Sequence, residues 1–329
     1  MSQHTHELKM YGDIKLYAGS GSPDLAQKIA EYLGQRLSPR EIIQFPNENI
    51  FVKLNNSARG QDVYVIQTTS SPVHYNLMEL LIMLQTVRLD SAARITAVVP
   101  YLCYGRSDKK DQPRVPITAR LVADMLESAG ADRYMTFDPH AGQIQGFFSV
   151  PGDVLTASHM LTEHIKDHLQ PQMKGPVVVA TDLGFAKKAR NYALDLDVPI
   201  AFIEKRRVGN EANAEALTLI GDVKGHDVII VDDEIDTGGS IAQAVEVVKK
   251  NGARDIYVAF IHPIFSKSAS QKLADLPIKQ IITTDTVPIP PAKMKPLEGR
   301  ITVLSIAPLL GEVIRRAHEG RSVGEMFNE

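Results

Sequence analysis

The chain has one cysteine, Cys103, and no tryptophan in 329 residues. A single thiol excludes an intramolecular disulfide framework and a cysteine-built zinc cluster, and it suits a reducing compartment. Neither sign of charge is in excess: 36 Lys plus Arg against 39 Asp plus Glu leaves −3. That balance argues against a general nucleic-acid or membrane-surface binder. Long apolar runs are missing as well. Glu79 interrupts Leu77–Leu84, and no window approaches the ~18 apolar residues of a membrane span. The opening Met1-Ser2-Gln3-His4-Thr5-His6 has no apolar stretch of signal-peptide type, so a soluble, cytoplasmic protein is expected. What the chain does have is 44% hydrophobic residues, enough to fill real cores, in a length beyond the roughly 250–300 residues at which single cores stop growing.

Short apolar runs alternate with amphipathic stretches throughout. Ile14–Ala18, Asp62–Gln67, Ile95–Val99 and Tyr134–Phe137 read as strands, separated by helical patterns over Pro23–Leu37, Asn76–Val87 and Ile117–Ser128. The second half repeats the plan, with strands at Val177–Ala180, Ile200–Ile203, Val228–Val231 and Ile256–Phe260 and helices at Ala186–Leu194 and Ile241–Lys250. Alternation of this kind predicts an α/β protein with mainly parallel sheets flanked by helices. The segment from Gly130 to His140 resembles that from Gly252 to His262, about a domain length further on. Two similar domains are therefore expected, 1–155 and 156–329, with the C-terminal helix packing back on the first.

The most informative stretch is Val228-Ile-Ile-Val-Asp232-Asp233-Glu-Ile-Asp236-Thr237-Gly238-Gly239-Ser240. An apolar strand leads into two carboxylates, and a short glycine-containing loop then opens a helix. Glycines, hydroxyls and a helix N-terminus are the parts of an anion cradle, because glycine lets the backbone approach a phosphate closely. Asp232 and Asp233 suit ribose hydroxyls, directly or through a cation, so the loop is expected to grip a sugar phosphate by both ends. There is no GxxxxGK[ST] and no GxGxxG after a strand, so the phosphate site is of another type.

This loop resembles the phosphoribosyl-diphosphate (PRPP) loop of type I phosphoribosyltransferases. Further motifs narrow the resemblance to the ribose-phosphate diphosphokinase (PRPP synthase) family. They are Tyr101-Leu-Cys-Tyr-Gly-Arg106-Ser-Asp108, Asp138-Pro-His140-Ala-Gly-Gln143, Glu204-Lys205-Arg206-Arg207, Asn76-Leu-Met-Glu-Leu-Leu-Ile82 and Gly311-Glu-Val-Ile-Arg-Arg316. The resemblance runs from about Ile14 to Phe327. It implies two phosphoribosyltransferase-like domains and transfer of the β,γ-diphosphoryl group of Mg2+-ATP to O1 of ribose 5-phosphate. Lys205 and Arg207 match the catalytic cations. Phe45, Asn47, Glu48, Asn49, Arg106, Ser107, Asp108 and His140 fall on ATP-side positions. Arg207, Asp232, Asp233, Asp236, Thr237, Gly238, Gly239 and Ser240 fall on the ribose 5-phosphate side, and His140 and Asp182 on metal-ligating positions. Ser57, Arg59, Gln145, Asp153, Ser322 and Phe327 match a phosphate/ADP effector site. A homo-oligomer built of dimers, a hexamer, is implied, with no nucleic-acid or membrane partner.

Three departures stand out. The family's adenine-side Phe-x-Asp-Gly-Glu is here Phe45-Pro-Asn47-Glu48-Asn49, so two carboxylate acceptors have become amides, which donate as well as accept. Ser107 stands where Gln is usual, and Leu183-Gly184-Phe185 follows Asp182 where x-Gly-Gly is common, so Phe185 is expected to narrow the metal and ribose side. Two other readings accompany these departures: a catalytically weak regulatory paralogue, and a phosphoribosyltransferase that consumes PRPP.

Overall fold

The computed structural model describes the backbone of residues 11–207 and 215–327, and side chains in those ranges except at 205–207, 215, 216 and 327. The chain divides into two compact units, one running through Leu155 and resuming at Ile306, the other Thr156–Ser305.

The first unit begins β1 (Ile14–Ala18), α1 (Pro23–Tyr32), β2 (Arg40–Gln44), β3 (Ile50–Leu54) and β4 (Asp62–Ile66). It continues α2 (Val73–Leu89), β5 (Arg94–Val99), α3 (Thr118–Ala129), β6 (Arg133–Phe137) and β7 (Gly152–Leu155). The five strands β1-β4-β5-β6-β7 form one sheet, every pair parallel. All five residues of β4 are buried, as a strand covered by helices on both faces requires. The antiparallel hairpin β2–β3 stands outside that sheet and was not expected. Its strands and tip are half-exposed, with Ile43 and Phe51 on the strands and Phe45 at the tip each more than 40% accessible, so neither apolar periodicity nor continuity gave it away.

The second unit contains α4 (Ser158–His164), β8 (Val177–Ala180), α5 (Ala186–Leu196), β9 (Ile200–Arg207), β10 (Glu215–Ile220), β11 (Val228–Ile235) and α6 (Gly239–Lys250). It goes on through β12 (Ile256–Pro263), α7 (Ala269–Asp275), β13 (Gln280–Thr284), α8 (Pro291–Met294) and β14 (Ile301–Leu304). Its seven-stranded sheet has the order β10-β9-β8-β11-β12-β13-β14, parallel except for the edge pair β9–β10. The α/β class with mainly parallel sheets, read from the alternation, is the class found.

The last helix, α9 (Ala307–Glu319), belongs to the first unit. Its apolar face (Ala307, Leu310, Val313, Ile314) is buried, and its C-terminal end is tied down by polar contacts. Asp62, fully buried at the start of β4, takes a two-point hydrogen bond from Arg94 at 2.7 and 2.6 Å and meets His318 Nδ1 at 2.7 Å. The Tyr64 hydroxyl donates to Asp62 at 3.0 Å, and Arg94 reaches the Ala317 carbonyl at 3.1 Å. Burial, and then the neighbouring Asp62, push the Tyr64 phenol well above its ordinary range.

A comparable knot in the second unit makes acid stability testable. Burial alone would raise the Asp227 carboxyl. The two-point Arg254 pair, both contacts at 2.7 Å, and N–H groups of Lys174 and Asp255 outweigh it and hold the group at about 2. The folded value lies below the ordinary one, so this contribution is complete above the usual carboxylate range and is lost as pH falls towards 2. Asp227→Asn is expected to flatten the slope of unfolding free energy between about pH 4 and 2; an unchanged slope in an acid titration would remove Asp227 from the account.

Candidate active site

In the second sheet, β8 is followed in the chain by its neighbour on one side, β9, and has β11 on the other. The connections leave in opposite directions there, and in open α/β sheets such a switch point, at the carboxyl ends of the strands, is where a crevice opens. The register shows it opening. β8 pairs with β11 only over Val177–Ala180 and Val228–Val231, whereas β12 keeps β11 in register as far as Ile235. Asp232 and Asp233 therefore lie inside a strand that the sequence pattern had ended at Val231. Continued pairing with β12 carries them along the open side.

The acidic pair is organised by neighbours. The Thr181 hydroxyl, directly after β8, donates to Asp232 Oδ2 at 3.0 Å and so bridges the crevice. Asp232 Oδ1 accepts the Asp233 N–H and Asp233 Oδ1 accepts the Glu234 N–H, each at 2.9 Å. Burial, and then the Asp233 charge, raise the Asp232 carboxyl well above its ordinary range. Sugar hydroxyls or a cation favour the ionised form of such a pair, because they supply what water no longer does.

Beyond the acidic strand, Gly238 adopts φ +73, a left-handed conformation that glycine accepts at little cost, and α6 begins at Gly239. The first-turn N–H groups of a helix have no acceptor within it, and its positive dipole end favours an anion. Thr237 and Ser240 are exposed on this turn. Asp182, two residues past β8, accepts the Phe185 N–H at 3.0 Å and so steadies the entry to α5. Phe185 does not narrow the crevice: its side chain is 6% exposed and belongs to the core, while Leu183 takes the solvent side at 53%. An aromatic ring at a helix entry gains more by burial than by exposure.

Lys205 and Arg207 lie at the far end of β9, with Lys205 opposite Leu217 and Arg207 opposite Glu215 on β10. β9 runs parallel to β8, and its last β8 partner is Phe202, opposite Ala180. The backbone at 205 and 207 thus projects past the carboxyl end of β8, on the edge that carries Asp182 and Asp232. Their side chains lie outside the described residues, as does the connection 208–214.

The residues that the resemblance puts on the ATP side all belong to the first unit. β5 and β6 are neighbours, so the loops after them, Tyr101–Arg106 and Asp138-Pro139-His140, leave the same sheet edge side by side. They approach closely: a Cβ on Gly105 would lie 3.5 Å from His140 Cβ. Gln143 Nε2 donates to Asp108, which is 6% exposed, so Asp108 is no solvated surface charge. The Ser107 hydroxyl is taken up at the start of α3 by the Thr118 hydroxyl (3.2 Å) and N–H (3.3 Å). Phe45, Asn47, Glu48 and Asn49 form the tip of the β2–β3 hairpin. The tip is held together by Phe45 N–H to the Asn49 carbonyl at 2.8 Å, by Asn49 N–H to Asn47 Oδ1 at 3.3 Å, and by the Phe45 and Phe51 rings 6.3 Å apart.

The residues that the resemblance matches to an effector site are dispersed over the first unit. Ser57 donates to Asp90 at 3.2 Å beside a cavity of about 420 Å³ lined by Phe51–Ser57, Thr86 and Asp90. The Arg59 N–H donates to Ser57 Oγ at 3.2 Å, Asp153 pairs with Arg133 at 3.0 Å, and the Ser322 carbonyl accepts from Arg316 at 2.9 Å. Gln145 is an exposed residue of the short 3-10 turn Gly142–Phe147, and Phe327 ends a second such turn, with its side chain outside the described residues. His140 and Asp182, paired as metal ligands by the sequence motifs, fall in different units. Among the described residues no three His, Cys, Asp or Glu side chains gather around a metal-sized space. Two residues escaped the sequence reading, Thr181 and Thr69, because a lone threonine after a strand has no signature until its partner is seen across the sheet.

Comparison with known proteins agrees with this geometry. Residues 14–130 match the N-terminal domain of ribose phosphate pyrophosphokinase, and residues 210–328 match the phosphoribosyl synthetase-associated domain. The ribose-phosphate pyrophosphokinase of Caldanaerobacter subterraneus subsp. tengcongensis is 44% identical over 315 residues, covering 95% of this chain and 98% of that protein. That of Aquifex aeolicus is also 44% identical over 315 residues, covering 95% and 99%. The crystal structure of phosphoribosylpyrophosphate synthetase from Mycobacterium smegmatis superposes with a TM-score of 0.88 at 41% identity, covering 94% of this chain and 99% of that one. With two family models matched and relatives 41–44% identical over nearly the whole of both chains, this chain belongs to the ribose-phosphate pyrophosphokinase family.

Proposed function

We propose that this chain transfers the β,γ-diphosphoryl group of ATP to O1 of ribose 5-phosphate, giving PRPP and AMP. The observation that carries the reading is the crevice between β8 and β11, where the Thr181-bridged Asp232 and Asp233 lie ahead of the Gly238 turn that opens α6. The 5-phosphate sits on Asp236, Thr237, Gly238, Gly239 and Ser240, where first-turn N–H groups and hydroxyls supply donors. Asp232 and Asp233 accept from the ribose hydroxyls and fix the anomeric oxygen. That oxygen attacks the β-phosphorus in line as the bond to the AMP oxygen breaks, a reaction governed by positioning and charge neutralisation. Lys205 and Arg207, at the projecting end of β9, offset the charge on the migrating group and the departing oxygen.

Phe45, Asn47, Glu48 and Asn49 take the adenine side, and Arg106, Ser107, Asp108 and His140 take the nucleotide phosphates. The exposed hairpin tip serves a neighbouring subunit in a dimer-based assembly, a hexamer. The donor set fits Mg2+, which favours oxygen ligands and is commonly held by one or two carboxylates together with waters and substrate phosphates, without a closed protein cage. Asp182 supplies a carboxylate and His140 steadies the phosphates; the bound ion would neutralise the β and γ oxygens. Phosphate or ADP acts on the region of Ser57, Arg59, Gln145, Asp153, Ser322 and Phe327, and the protein works in the cytoplasm.

The test is direct. Purified protein with ATP, ribose 5-phosphate and Mg2+ is expected to release AMP and PRPP in equal amounts, with no nucleobase present, and to stop when the metal is chelated. AMP formation that requires a partner protein would point to the regulatory paralogue. PRPP consumption dependent on a base would point to the phosphoribosyltransferase.

A further inference from the structure

The loop that carries Arg106 is anchored from below by a residue outside the site. Thr69, in the segment between β4 and α2, is fully buried. Its hydroxyl donates to the Tyr101 carbonyl at 2.7 Å and accepts the Cys103 N–H at 2.8 Å, while its own N–H donates to the same Tyr101 carbonyl at 3.0 Å. One side chain therefore closes both ends of the first turn of the Tyr101–Arg106 loop. The loop needs an anchor, because Tyr104 is held at φ +60, a left-handed conformation that side chains other than glycine adopt reluctantly. A second tie sits at the surface, where the Tyr104 hydroxyl meets His74 Nε2 of α2 at 2.9 Å. Beyond Tyr104 come Gly105, against His140, and Arg106.

The Thr69 segment is itself fixed. Thr68 N–H donates to Ser22 Oγ at 3.2 Å, and Asn76 Nδ2 donates to the Ser70 carbonyl at 2.9 Å. Gln67 donates to Glu79 at 3.0 Å and accepts the Gly21 N–H at 2.7 Å. The segment carrying Thr69 is held by this network of hydrogen bonds, so its hydroxyl transmits a position and does not merely fill space.

We infer that Thr69 is a positioning residue for the nucleotide side: its hydroxyl sets the Tyr101–Arg106 loop, and through Gly105 the register of Arg106 against His140. This rests on the proposed assignment of that loop to the nucleotide phosphates. Losing the hydroxyl takes the acceptor from the buried Cys103 N–H and leaves the Tyr101 carbonyl with the Thr69 N–H in place of two donors from that residue, and the loop recovers the lost bonds only by moving.

The chain's single cysteine reports on this loop. Cys103 is 2% exposed, and burial raises its thiol to about 11, so a thiol-specific reagent reacts slowly with the native chain. In the full-length enzyme, Thr69→Val is expected to raise KM for ATP by about tenfold, with KM for ribose 5-phosphate within about twofold, because the sugar site lies on the other unit. Labelling of Cys103 should quicken by about tenfold and slow again under saturating Mg2+-ATP. Thr69→Ser keeps the hydroxyl and is expected to stay within about threefold of the parent in all three readouts.

An unchanged KM for ATP, equal rises in both KM values, or failure of serine to restore the parent behaviour would each overturn the inference. Should Thr69→Val fail to fold, the parent enzyme decides: Cys103 labelling must slow with Mg2+-ATP and not with ribose 5-phosphate, and equal rates would reject it. Failure of the parent to make PRPP at all would instead count against the proposed activity, which keeps the two outcomes apart.

Discussion

Lys205→Ala is expected to lower kcat by about two to three orders of magnitude while KM for ATP and for ribose 5-phosphate moves by no more than about threefold. The backbone supplies the reason. β9 outruns its partner β8 and carries position 205 past Ala180, to the edge where Asp182 and Asp232 stand. On the proposed assignment, a cation from this position offsets the charge that builds up as the diphosphoryl group migrates, and that charge is largest in the transition state. Loss of a group that acts mainly there appears in kcat. Lys205→Arg should recover only part of the rate, because a planar fork replaces a point charge. Steady-state kinetics decides: a rise in KM with kcat preserved would make Lys205 a ground-state binding residue.

Asp62→Ala is expected to cost the first unit about 3–5 kcal/mol, because it leaves a buried cation without its counter-charge. Arg94, 11% exposed at its side chain, would lose both of its carboxylate contacts, and His318 its own at 2.7 Å. For a unit of this size that loss corresponds to a fall in melting temperature of about 10 °C. The same change releases the end of α9, whose last turn holds His318 and Ala317 against β4 and β5. Protease cleavage within residues 306–327 should therefore accelerate in the variant. A melting temperature within about 2 °C of the parent would show that the Asp62 cluster contributes specificity and little stability.

How much of this was legible beforehand differs from element to element. β1, Ile14–Ala18, appears in the structure with the bounds read from its apolar run, and α3 and α5 differ from their patterns by only one or two residues at an end. Strands buried on both faces and helices with one apolar face announce themselves through period alone. The β2–β3 hairpin did not, because its exposed face carries Ile43, Phe45 and Phe51 as readily as a polar strand carries threonine. The resemblance between Gly130–His140 and Gly252–His262 marks a shared helix-to-strand joint: Gly130 and Gly252 follow α3 and α6 at φ +121 and +86. The two histidines at the ends of those segments part company. His140 is exposed beside Gly105, whereas His262 is 3% exposed and bonded to Thr286 at 2.9 Å.

The order of residues by itself determined the α/β class and the family, and it located the glycine turn of Asp236–Ser240, because each rests on local period or on neighbours a few positions apart. Only the tertiary structure decided that Thr181 bridges to Asp232, that β11 carries its carboxylates along β12, that Phe185 turns inward, and that Thr69 holds the Arg106 loop. Those facts depend on which strands lie side by side and where their pairing stops. Pairing of that kind joins residues tens of positions apart, and hydrogen bonding across a sheet leaves no period in the chain that folds into it.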